Sequence, residues 1–352
     1  MKRASRRSKA VTIRTVAKHA GVSPMSVSNV LNGRRVMPET QAAVERALAE
    51  LDYTPNSAAR QLASGGVTSV GVLLHPALEQ DFLSPMLVGV LNATSKFGVQ
   101  LIVERASYDD VTEAWAAVRA LTRRGAGGVL LPPGICEVMA LGAETARTDL
   151  ALVAFAPGRD LPGMASVRID DFAAARDMTS MLLDQRHRRI GFITAPRSLG
   201  VFESRRGGYL AALHARGMEI DHDLILEGQM DFRSGFAAAA EMLNLANPPT
   251  AIFASNDDMA AGALVAARSL GIDVPNALSV AGFDDTPLAT KLWPPLTTVR
   301  FPVIEMAELA IEMLVEAARS HVPPPPVTRY LSYSIVERAS TGTEPKASPP
   351  AS

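Results

Sequence analysis

Residues 11–32 read Val-Thr-Ile-Arg-Thr-Val-Ala-Lys-His-Ala-Gly-Val-Ser-Pro-Met-Ser-Val-Ser-Asn-Val-Leu-Asn, which is two short helical patterns joined by a turn at Gly21. This stretch predicts a helix-turn-helix, because small apolar residues recur at helical spacing on both sides of the turn. Ser23 suits the N-cap of the second helix and Pro24 suits its first position. The second helix then presents short polar side chains of a size that fits a DNA groove. An ordinary helical hairpin rich in alanine and valine is the alternative.

Basic residues are concentrated at the N-terminal end of the chain. The first 66 residues hold 11 Lys and Arg against 4 Asp and Glu, out of 35 and 36 in the 352-residue chain, whose net charge is −1. A basic module joined to an acidic remainder is typical of a protein in which one small part contacts phosphate groups. We expect residues 1–10 to form a disordered basic arm that adds non-specific attraction to phosphates. A tail that serves only solubility is the alternative.

A third helix is predicted from residue 38 or 39 to Leu51, because apolar residues recur at helical spacing between positions 44 and 51. It would close a three-helix core. Pro55 breaks the pattern, so the helix-turn-helix domain is expected to span residues 11–55. Residues 56–66 follow as a linker in which one short helix is expected before Gly65 and Gly66.

From residue 67 onward, apolar runs alternate with amphipathic stretches, which is the pattern of a parallel α/β sheet. Candidate strands occupy residues 69–74, 100–104, 127–131, 151–155, 189–194, 250–254 and 278–283. Amphipathic helices are predicted at residues 84–97, 110–123, 172–183, 203–216, 234–245 and 257–270. Roughly 270 residues of this pattern exceed one ordinary domain, so we expect two Rossmann-like lobes.

Patterns typical of catalysis, metal binding or membrane insertion do not occur in the sequence. The chain has no Gly-x-Ser-x-Gly, no His-Glu-x-x-His and no phosphate-binding Gly-x-x-x-x-Gly-Lys motif. Its six histidines are scattered, and the single Cys136 excludes an intrachain disulfide. We therefore expect a protein that is not an enzyme and that uses no cofactor or metal. Because no apolar run has the length of a signal peptide or of a membrane helix, we expect a cytoplasmic location.

Several motifs resemble those of the LacI/GalR family of bacterial transcription regulators, and together they cover nearly the whole chain. They are Val-Ala-Lys-His-Ala-Gly-Val-Ser at 16–23, Val-Ser-Asn-Val-Leu-Asn-Gly at 27–33, Leu-Asp-Tyr-Thr-Pro-Asn-Ser-Ala-Ala-Arg-Gln-Leu at 51–62, Ser-Asn-Asp-Asp at 255–258, and Phe-Asp-Asp at 283–285 followed by Pro-Pro-Leu-Thr-Thr-Val at 294–299. The resemblance implies that residues 56–64 form a hinge helix on operator DNA and that Leu62 is a wedge in the central minor groove. A linker leucine packed on its own domain is the alternative for Leu62.

The resemblance also implies the architecture of the whole chain. An all-α helix-turn-helix head is joined by the hinge helix to a two-lobed, periplasmic-binding-protein-like core of parallel sheets at residues 67–338. Lobe 1 is expected to hold residues 67–159 and 298–327, and lobe 2 residues 161–292 and 328–338. Residues 339–352, rich in Pro, Ser and Ala, are expected to form a disordered tail.

Predicted DNA contacts lie on the second helix and on the hinge. Ser23 and Ser28 are expected to contact phosphates, and Met25, Ser26 and Asn29 to face base edges. Many relatives carry Arg or His at the position of Asn29, which is shorter and favours adenine or a water-mediated contact. The operator sequence therefore stays open. Pro24, limited to apolar contact, completes the second-helix set, and the remaining predicted contacts are Thr12, Asn32, Asn56 and Ala59 beside Leu62.

Effector contacts are predicted where strands end. Asn256 and Asp257 follow one candidate strand directly and Asp284 follows another. The ligand of a two-lobed α/β core lies where the carboxyl ends of the strands converge. A carboxylate and an amide there suit the vicinal hydroxyls of a sugar. The alternative for Asp257 is an N-cap of the helix that follows it.

Further effector contacts follow from the resemblance. Arg205 matches the effector-contacting arginine of family members, and Asp81 and Phe82 fall where relatives contact effector. An apolar wall is expected from Phe82, Phe155, Met230 or Phe232, with a place in the core as the alternative for each aromatic ring. Arg105 matches a position near the interface between the lobes, where a salt bridge across the lobes and an effector contact fit equally.

The resemblance implies a sequence-specific regulator, which we expect to be a repressor of transcription. It would bind a pseudo-palindromic double-stranded operator as a homodimer, since the tail lacks the leucine heptad through which tetrameric relatives assemble. A carbohydrate-like effector between the lobes is expected to release the DNA. A corepressor-dependent regulator that senses a purine or another metabolite is the alternative. A free-standing solute-binding protein would not need a DNA-binding head.

Overall fold

The computed structural model describes residues 12–31, 36–51, 69–75, 80–107, 110–142, 148, 150–196, 199–320 and 322–344. The chain divides into two compact units, residues 1–66 and 67–352, at the boundary expected from the sequence. The predicted basic arm at residues 1–10 and the predicted hinge helix at residues 56–64 lie outside the described residues.

The first unit contains the predicted helix-turn-helix and its third helix. Helix α1 spans Ile13–Ala20, α2 spans Pro24–Leu31 and α3 spans Pro38–Glu50. The turn between α1 and α2 requires Gly21, whose φ of 69° lies in the left-handed region. The three helices pack on small apolar side chains, a size that lets short helices cross closely. The fully buried members of this core are Val16, Ala17, Val27, Val44 and Ala47.

Capping side chains fix where the first two helices begin. Thr12 caps α1 with a reciprocal pair of hydrogen bonds to Thr15, in which each side-chain oxygen accepts from the other residue's backbone N–H at 3.3 Å. Ser23 caps α2, since its Oγ accepts from the backbone N–H of Ser26 at 3.1 Å. The predicted N-cap role of Ser23 is therefore confirmed.

The second unit consists of two lobes, each built on a six-stranded sheet. Lobe 1 contains β1 (Ser69–Leu74), β2 (Gln100–Arg105), β3 (Ala126–Leu131), β4 (Ala151–Phe155), β5 (Ala165–Arg168) and β11 (Thr328–Tyr330). Its strand order is β11-β5-β4-β3-β1-β2, and all neighbours are parallel. Three helices accompany these strands in the chain, α4 (Gln80–Phe97), α5 (Val111–Arg123) and α6 (Ile135–Ala140).

Lobe 2 has the same plan. Its strands are β6 (Ile190–Thr194), β7 (Ile225–Glu227), β8 (Ala251–Ala254), β9 (Ser279–Asp284), β10 (Thr297–Arg300) and β12 (Ser334–Val336). The order is β12-β10-β9-β8-β6-β7, and only β12 is antiparallel to its neighbour. Its helices are α7 (Asp171–Asp184), α8 (Gly200–Ala215), α9 (Phe232–Leu243), α10 (Asp257–Ser269) and α11 (Pro287–Lys291).

The chain crosses between the lobes three times, and the predicted lobe boundaries were wrong at each crossing. Strand β5, expected in lobe 2, pairs with β4 and therefore belongs to lobe 1. Strand β10, expected in lobe 1, pairs in parallel with β9 of lobe 2. Residues 328–338, expected in lobe 2 as a whole, contain two strands, of which β11 belongs to lobe 1 and β12 to lobe 2. Between β10 and β11 the helix α12 (Val303–Ser320) packs on β3 and β4 of lobe 1.

The start of the expected disordered tail is packed against lobe 2. Ser340 is fully buried, its Oγ accepts from the backbone N–H of Thr297 at 2.8 Å, and its Oγ–H donates to the carbonyl of Val280 at 2.6 Å. His187 is also buried, and its two ring nitrogens contact Thr250 Oγ1 at 2.9 Å and the carbonyl of Gly342 at 3.0 Å. The prediction is therefore wrong for residues 339–344, and residues 345–352 lie outside the described residues.

Candidate functional site

A cavity of about 90 Å³ lies between the two lobes, where the strands of both sheets end. This is several times the roughly 10–15 Å³ that one water molecule needs. Most of its lining side chains follow the carboxyl end of a strand within a few residues, which is the usual ligand position in such sheets. The lining residues are His75, Phe82, Pro133, Ala156, Ile169, Asp171, Leu199, Val201, Phe202, Arg205, Met230, Asn256, Asp284, Phe301 and Met306.

Arg205 is the central polar group of the cavity. It lies on α8 with only 5% of its surface exposed. Its Nε donates to Asp171 Oδ1 at 2.9 Å, and its Nη1 donates to the carbonyl of Ser255 at 2.6 Å and to Asp284 Oδ1 at 3.3 Å. Its guanidinium carbon also lies 3.5 Å from the ring centre of Phe283, a favourable cation–π contact. The guanidinium is therefore held rigidly between two carboxylates.

The two carboxylates beside Arg205 are buried with it. Burial raises the pKa of Asp284 to about 7, although the charge of Arg205 acts in the opposite direction. Burial likewise raises the pKa of Asp171, and Arg205 again offsets part of the effect. One guanidinium faces two carboxyl groups, so it offsets only part of the cost of burying their charges, and the raised pKa values favour the protonated forms. Such perturbed groups in a cavity are typical of a functional site.

Backbone strain is concentrated around the same cavity. Among the described residues other than glycine, five have a positive φ. Three of the five line the cavity, namely Ala156 at 47°, Met230 at 65° and Asp284 at 112°. Side chains adopt this region at a cost of about 1–3 kcal/mol each and do so mainly at binding and catalytic sites. The strain therefore points to the cavity independently of its charges.

Asn256 connects two parts of the cavity wall. It is the N-cap of α10, where its Oδ1 accepts from the backbone N–H of Met259 at 2.9 Å. Its Nδ2 donates to the carbonyl of Met230 at 2.9 Å and so holds that strained residue in place. The structure thus brings Phe82, Arg205, Met230, Asn256 and Asp284 together, as predicted for effector contacts.

Three of the remaining candidates lie away from the cavity. Asp257 is buried behind it, where its carboxylate accepts from Thr298 Oγ1 at 2.6 Å and from the backbone N–H of Thr286 at 2.8 Å. The alternative N-cap role for Asp257 is also wrong, since Asn256 is the cap. Phe232 is 43% exposed at the start of α9, and Arg105 is exposed at the end of β2. The side chain of Asp81 lies outside the described residues.

Asp171 is a cavity residue that the sequence analysis did not find. It follows β5 by three positions, so it obeys the same rule that identified Asp284. The four residues of β5 are too short a run to be predicted as a strand, so nothing in the sequence marks Asp171, just before the predicted helix at 172–183, as a residue that follows a strand. Recognition of residues 165–168 as a strand would have identified Asp171 as a candidate cavity residue.

On the helix-turn-helix, the predicted DNA contacts occupy one end of α2. Ser23, Pro24 and Met25 are exposed, the last to 69%, while Ser26, Ser28 and Asn29 are half-buried. Thr12 is exposed at the start of α1, where it caps that helix. The predicted contacts Asn32, Asn56, Ala59 and Leu62 lie outside the described residues.

The described part of the chain shows no group of three or more His, Cys, Asp or Glu side chains placed to hold a metal ion. None of the helices in that part combines the length and the apolar character needed to cross a membrane.

Comparisons with known proteins give matches for both the helix-turn-helix and the two-lobed unit. The family model described as bacterial regulatory proteins, lacI family, matches residues 12–56, and a periplasmic binding protein-like domain matches residues 179–341. The HTH-type transcriptional regulator GalS of Salmonella typhimurium is 35% identical over 88% of this chain and 90% of its own length. The chain belongs to the LacI family. Another relative of this LacI-family regulator is GalR of Escherichia coli, 32% identical over 94% of the chain and 96% of its own length.

Solved structures of the family share the fold of this LacI-family regulator. A lac repressor dimer bound to operator and to the anti-inducer ONPF has a TM-score of 0.78 and 26% identity, over 95% of this chain and all of that one. The transcriptional regulator CelR in complex with cellobiose has a TM-score of 0.68 and 29% identity, over 94% of this chain and 99% of that one. The predicted family, the two-part fold and the role in DNA-dependent regulation, as opposed to catalysis, are confirmed.

Replacing Asp284 by Asn is expected to reduce the pH dependence of stability of the LacI-family regulator. The folded-state pKa of Asp284, about 7, lies above the unfolded value of 3.8. The stability that its proton provides is complete below pH 3.8 and is lost as the pH rises through about 7. Between these limits Asp284 makes the unfolding free energy fall by up to about 1.4 kcal/mol per pH unit, the value for one proton, and D284N should remove this fall. Asn also tolerates the positive φ at this position.

Urea denaturation between pH 4.5 and 8 measures this slope. The matched control is D184N, which makes the same change at an exposed aspartate paired with Arg216. An identical reduction in both variants would contradict the role given to Asp284.

Proposed function

We propose that this LacI-family regulator is a repressor that binds a pseudo-palindromic operator as a homodimer and releases it when a small effector enters the cavity between the lobes. The observation that carries the proposal is that one chain combines a helix-turn-helix, whose second helix exposes Ser23 to Met25, with an interlobe cavity centred on Arg205. A sensing site and a DNA-reading element joined in this way suit control of transcription by a metabolite. The protein would then act in the cytoplasm, where its operator is.

A carbohydrate-like effector fits the polar side of the cavity. The carboxylates of Asp171 and Asp284 accept hydrogen bonds, and the guanidinium of Arg205 donates them. Vicinal hydroxyls both donate and accept, so they match this combination. The solved CelR–cellobiose complex gives a family precedent for a sugar ligand.

Aromatic side chains support a second candidate. Phe82, Phe202 and Phe301 all line the cavity, and several aromatic rings along one cavity favour a ligand with a flat face. A purine acting as corepressor has such a face. In that case the ligand would strengthen operator binding.

Coupling between the cavity and DNA is proposed to run through the lobes. A ligand that binds one lobe spacing better than another shifts the protein toward that spacing. The change would alter the separation of the two hinge segments of the dimer and weaken operator binding by about 1–3 kcal/mol. The hinge residues 56–64 themselves lie outside the described residues.

Selection of bound sequences from random duplex DNA tests the proposal. The purified full chain is used at physiological salt, alone and with single sugars including cellobiose, sugar acids and purines. A pseudo-palindrome that is lost with one compound supports an inducible repressor, and one that appears only with a compound supports the corepressor candidate. Failure to enrich any sequence under all conditions would overturn the proposal.

Leu62→Ala is expected to weaken binding to the selected operator by at least about tenfold and binding to unrelated duplex by about twofold or less. The wedge partly unstacks a base step and permits a bend that only specific binding uses, whereas phosphate attraction does not depend on it. Fluorescence anisotropy at fixed salt measures both affinities. The control is Leu141→Ala, which changes a leucine on the surface of the two-lobed unit, where its side chain is 77% exposed. Equal losses on both DNAs would contradict the wedge.

A further inference from the structure

The loop after β4 in lobe 1 presses against the start of α8 in lobe 2, at one edge of the effector cavity. The contact centres on Gly158, whose carbonyl accepts from Ser204 Oγ at 2.5 Å. The same carbonyl accepts from Arg168 Nη2 at 3.1 Å. Arg168 ends β5, directly before the first crossing between the lobes. One backbone carbonyl therefore receives a hydrogen bond from lobe 2 and another from the end of β5 in lobe 1.

The contact between the lobes at Gly158 is backbone against backbone. A Cβ on Gly158 would lie 1.8 Å from the carbonyl carbon of Gly200 and 1.9 Å from the nitrogen of Val201. Gly158 has no positive φ, so the need for glycine here comes from space alone. Any side chain at this position would force the loop and α8 apart.

Glu137 holds the lobe 1 side of this contact in place. It is 5% exposed, and its Oε1 accepts from the backbone N–H of Gly158 at 2.9 Å. Its Oε2 accepts from the backbone N–H of Gly134 at 2.7 Å and from Cys136 Sγ at 3.0 Å. A Cβ on Gly200 would lie 3.4 Å from Oε1, so this carboxylate also lies beside the N-terminus of α8, where negative charge is stabilising.

The loop after β4 and the start of α8, which form this contact, both supply residues that line the cavity. Ala156, two residues before Gly158, lines the cavity, as do Val201 and Phe202 directly after Gly200. On α8, Ser204 is followed by Arg205. The separation of the loop from α8 therefore changes the width of the cavity and the position of Arg205 together.

We propose that Gly158, Gly200 and Ser204 form a closure latch that holds the two lobes together over the effector cavity, with Glu137 as its positioning residue. The inference rests on the proposed function in one respect only, namely that the cavity binds an effector. All of the contacts of the latch lie within one chain, so the latch needs no second subunit. An effector that fills the cavity acts on the latch by fixing or parting the two segments that form it.

Hydrogen–deuterium exchange of the full chain without effector tests the latch. In Ser204→Ala, exchange in peptides covering residues 154–160 and 199–208 should rise by about two- to tenfold, the effect of one lost hydrogen bond. In Gly158→Ala the rise should reach about tenfold or more, because the backbones can no longer touch. Peptides covering β3 and β8 should exchange as before in both variants, which separates opening of the latch from general unfolding.

Ser180→Ala is the matched control, because Ser180 Oγ–H also donates to a backbone carbonyl, that of Arg176 at 2.8 Å, but lies on the exposed side of α7. Unchanged exchange at residues 199–208 in Ser204→Ala would overturn the latch, and so would an equal rise in the control. If Gly158→Ala does not fold, Ser204→Ala still decides. Since no effector or operator enters these measurements, the latch can fail while the proposed function stands, and the reverse also holds.

Discussion

Replacing Arg205 by Leu is expected to lower the unfolding free energy at pH 7 by about 3–5 kcal/mol, as in other proteins that lose one partner of a buried ion pair. The substitution leaves the carboxylates of Asp171 and Asp284 without their donor, and the three side chains are between 3% and 11% exposed. Leu still covers the ring of Phe283, so the loss is chiefly electrostatic. The deficit should shrink toward pH 5, because protonation removes the charges that the variant cannot neutralise.

Thermal and urea denaturation at pH 5 and pH 7 provide the measurement. Arg206→Leu makes the same change at the next position of α8, where the side chain is half-buried and does not line the cavity, and it should cost little. Adding D284N to R205L should recover part of the loss at pH 7. If the two arginine variants were equally stable, or if R205L were insensitive to pH, the buried cluster would not have the energetic role described.

Gly262→Ala is expected to lower the unfolding free energy by about 2–3 kcal/mol, although alanine favours helices over glycine by about 1 kcal/mol. Helices α9 and α10 cross at this residue with their backbones in contact. A Cβ on Gly262 would lie 2.3 Å from the carbonyl oxygen of Phe232 and 2.5 Å from the nitrogen of Phe236. A backbone cannot move away as a side chain does, so the two helices must separate.

Separation of α9 and α10 would also disturb the effector cavity. Asn256, the N-cap of α10, lines the cavity and donates a hydrogen bond to the carbonyl of Met230, another lining residue. Gly207→Ala is the matched control. Its Cβ would meet only the ring of Phe172, at 3.3 Å, and that ring is partly exposed and able to turn. The control should be neutral or slightly stabilising in urea denaturation. A destabilised control, or a neutral G262A, would contradict the crossing geometry.

Periodicity predicted the regular elements well. Seven strands were predicted at or within one residue of their observed ends, because each is a short run rich in apolar residues between helices. All of them except the edge strand β2 are largely buried. The six predicted helices were also found, although α4 begins four residues before its predicted start, whereas the 18-residue helix α12 was not predicted. Local patterns suffice here because apolar side chains recur in these elements at the spacing of a strand or of a helix.

Local periodicity could not assign a short strand to a lobe when that assignment depends on a pairing partner distant in sequence. Strand β10 reads Thr-Thr-Val-Arg, and nothing within those residues shows that it pairs with β9 of lobe 2. Strand β11 has three residues and β12 three more, so their division between two sheets is decided by the neighbours they find. Short strands carry too few side chains for sequence periodicity to assign them to a lobe.

At the cavity, the rule that polar residues follow strands succeeded for Asn256 and Asp284 and misled for Asp257. The two aspartates have the same chemistry and both lie close to a strand end, yet Thr286 and Thr298 enclose the carboxylate of Asp257. Which aspartate faces the cavity is settled by the direction of one side chain. Glu137 was missed for a related reason, because its three hydrogen-bond donors come from backbone and thiol groups that have no motif.

The threefold crossing of the chain has a consequence for the protein during its synthesis. Lobe 1 is completed by α12 and β11, which together end at Tyr330, so its first eight elements, β1 to β5 and α4 to α6, are synthesised long before the partners that cover them. The helix-turn-helix, complete by residue 51, needs none of these later residues for its own core. The helix-turn-helix of a nascent chain can therefore fold before the two-lobed unit is complete. Control by an effector can begin only after the last strands of both lobes have been synthesised.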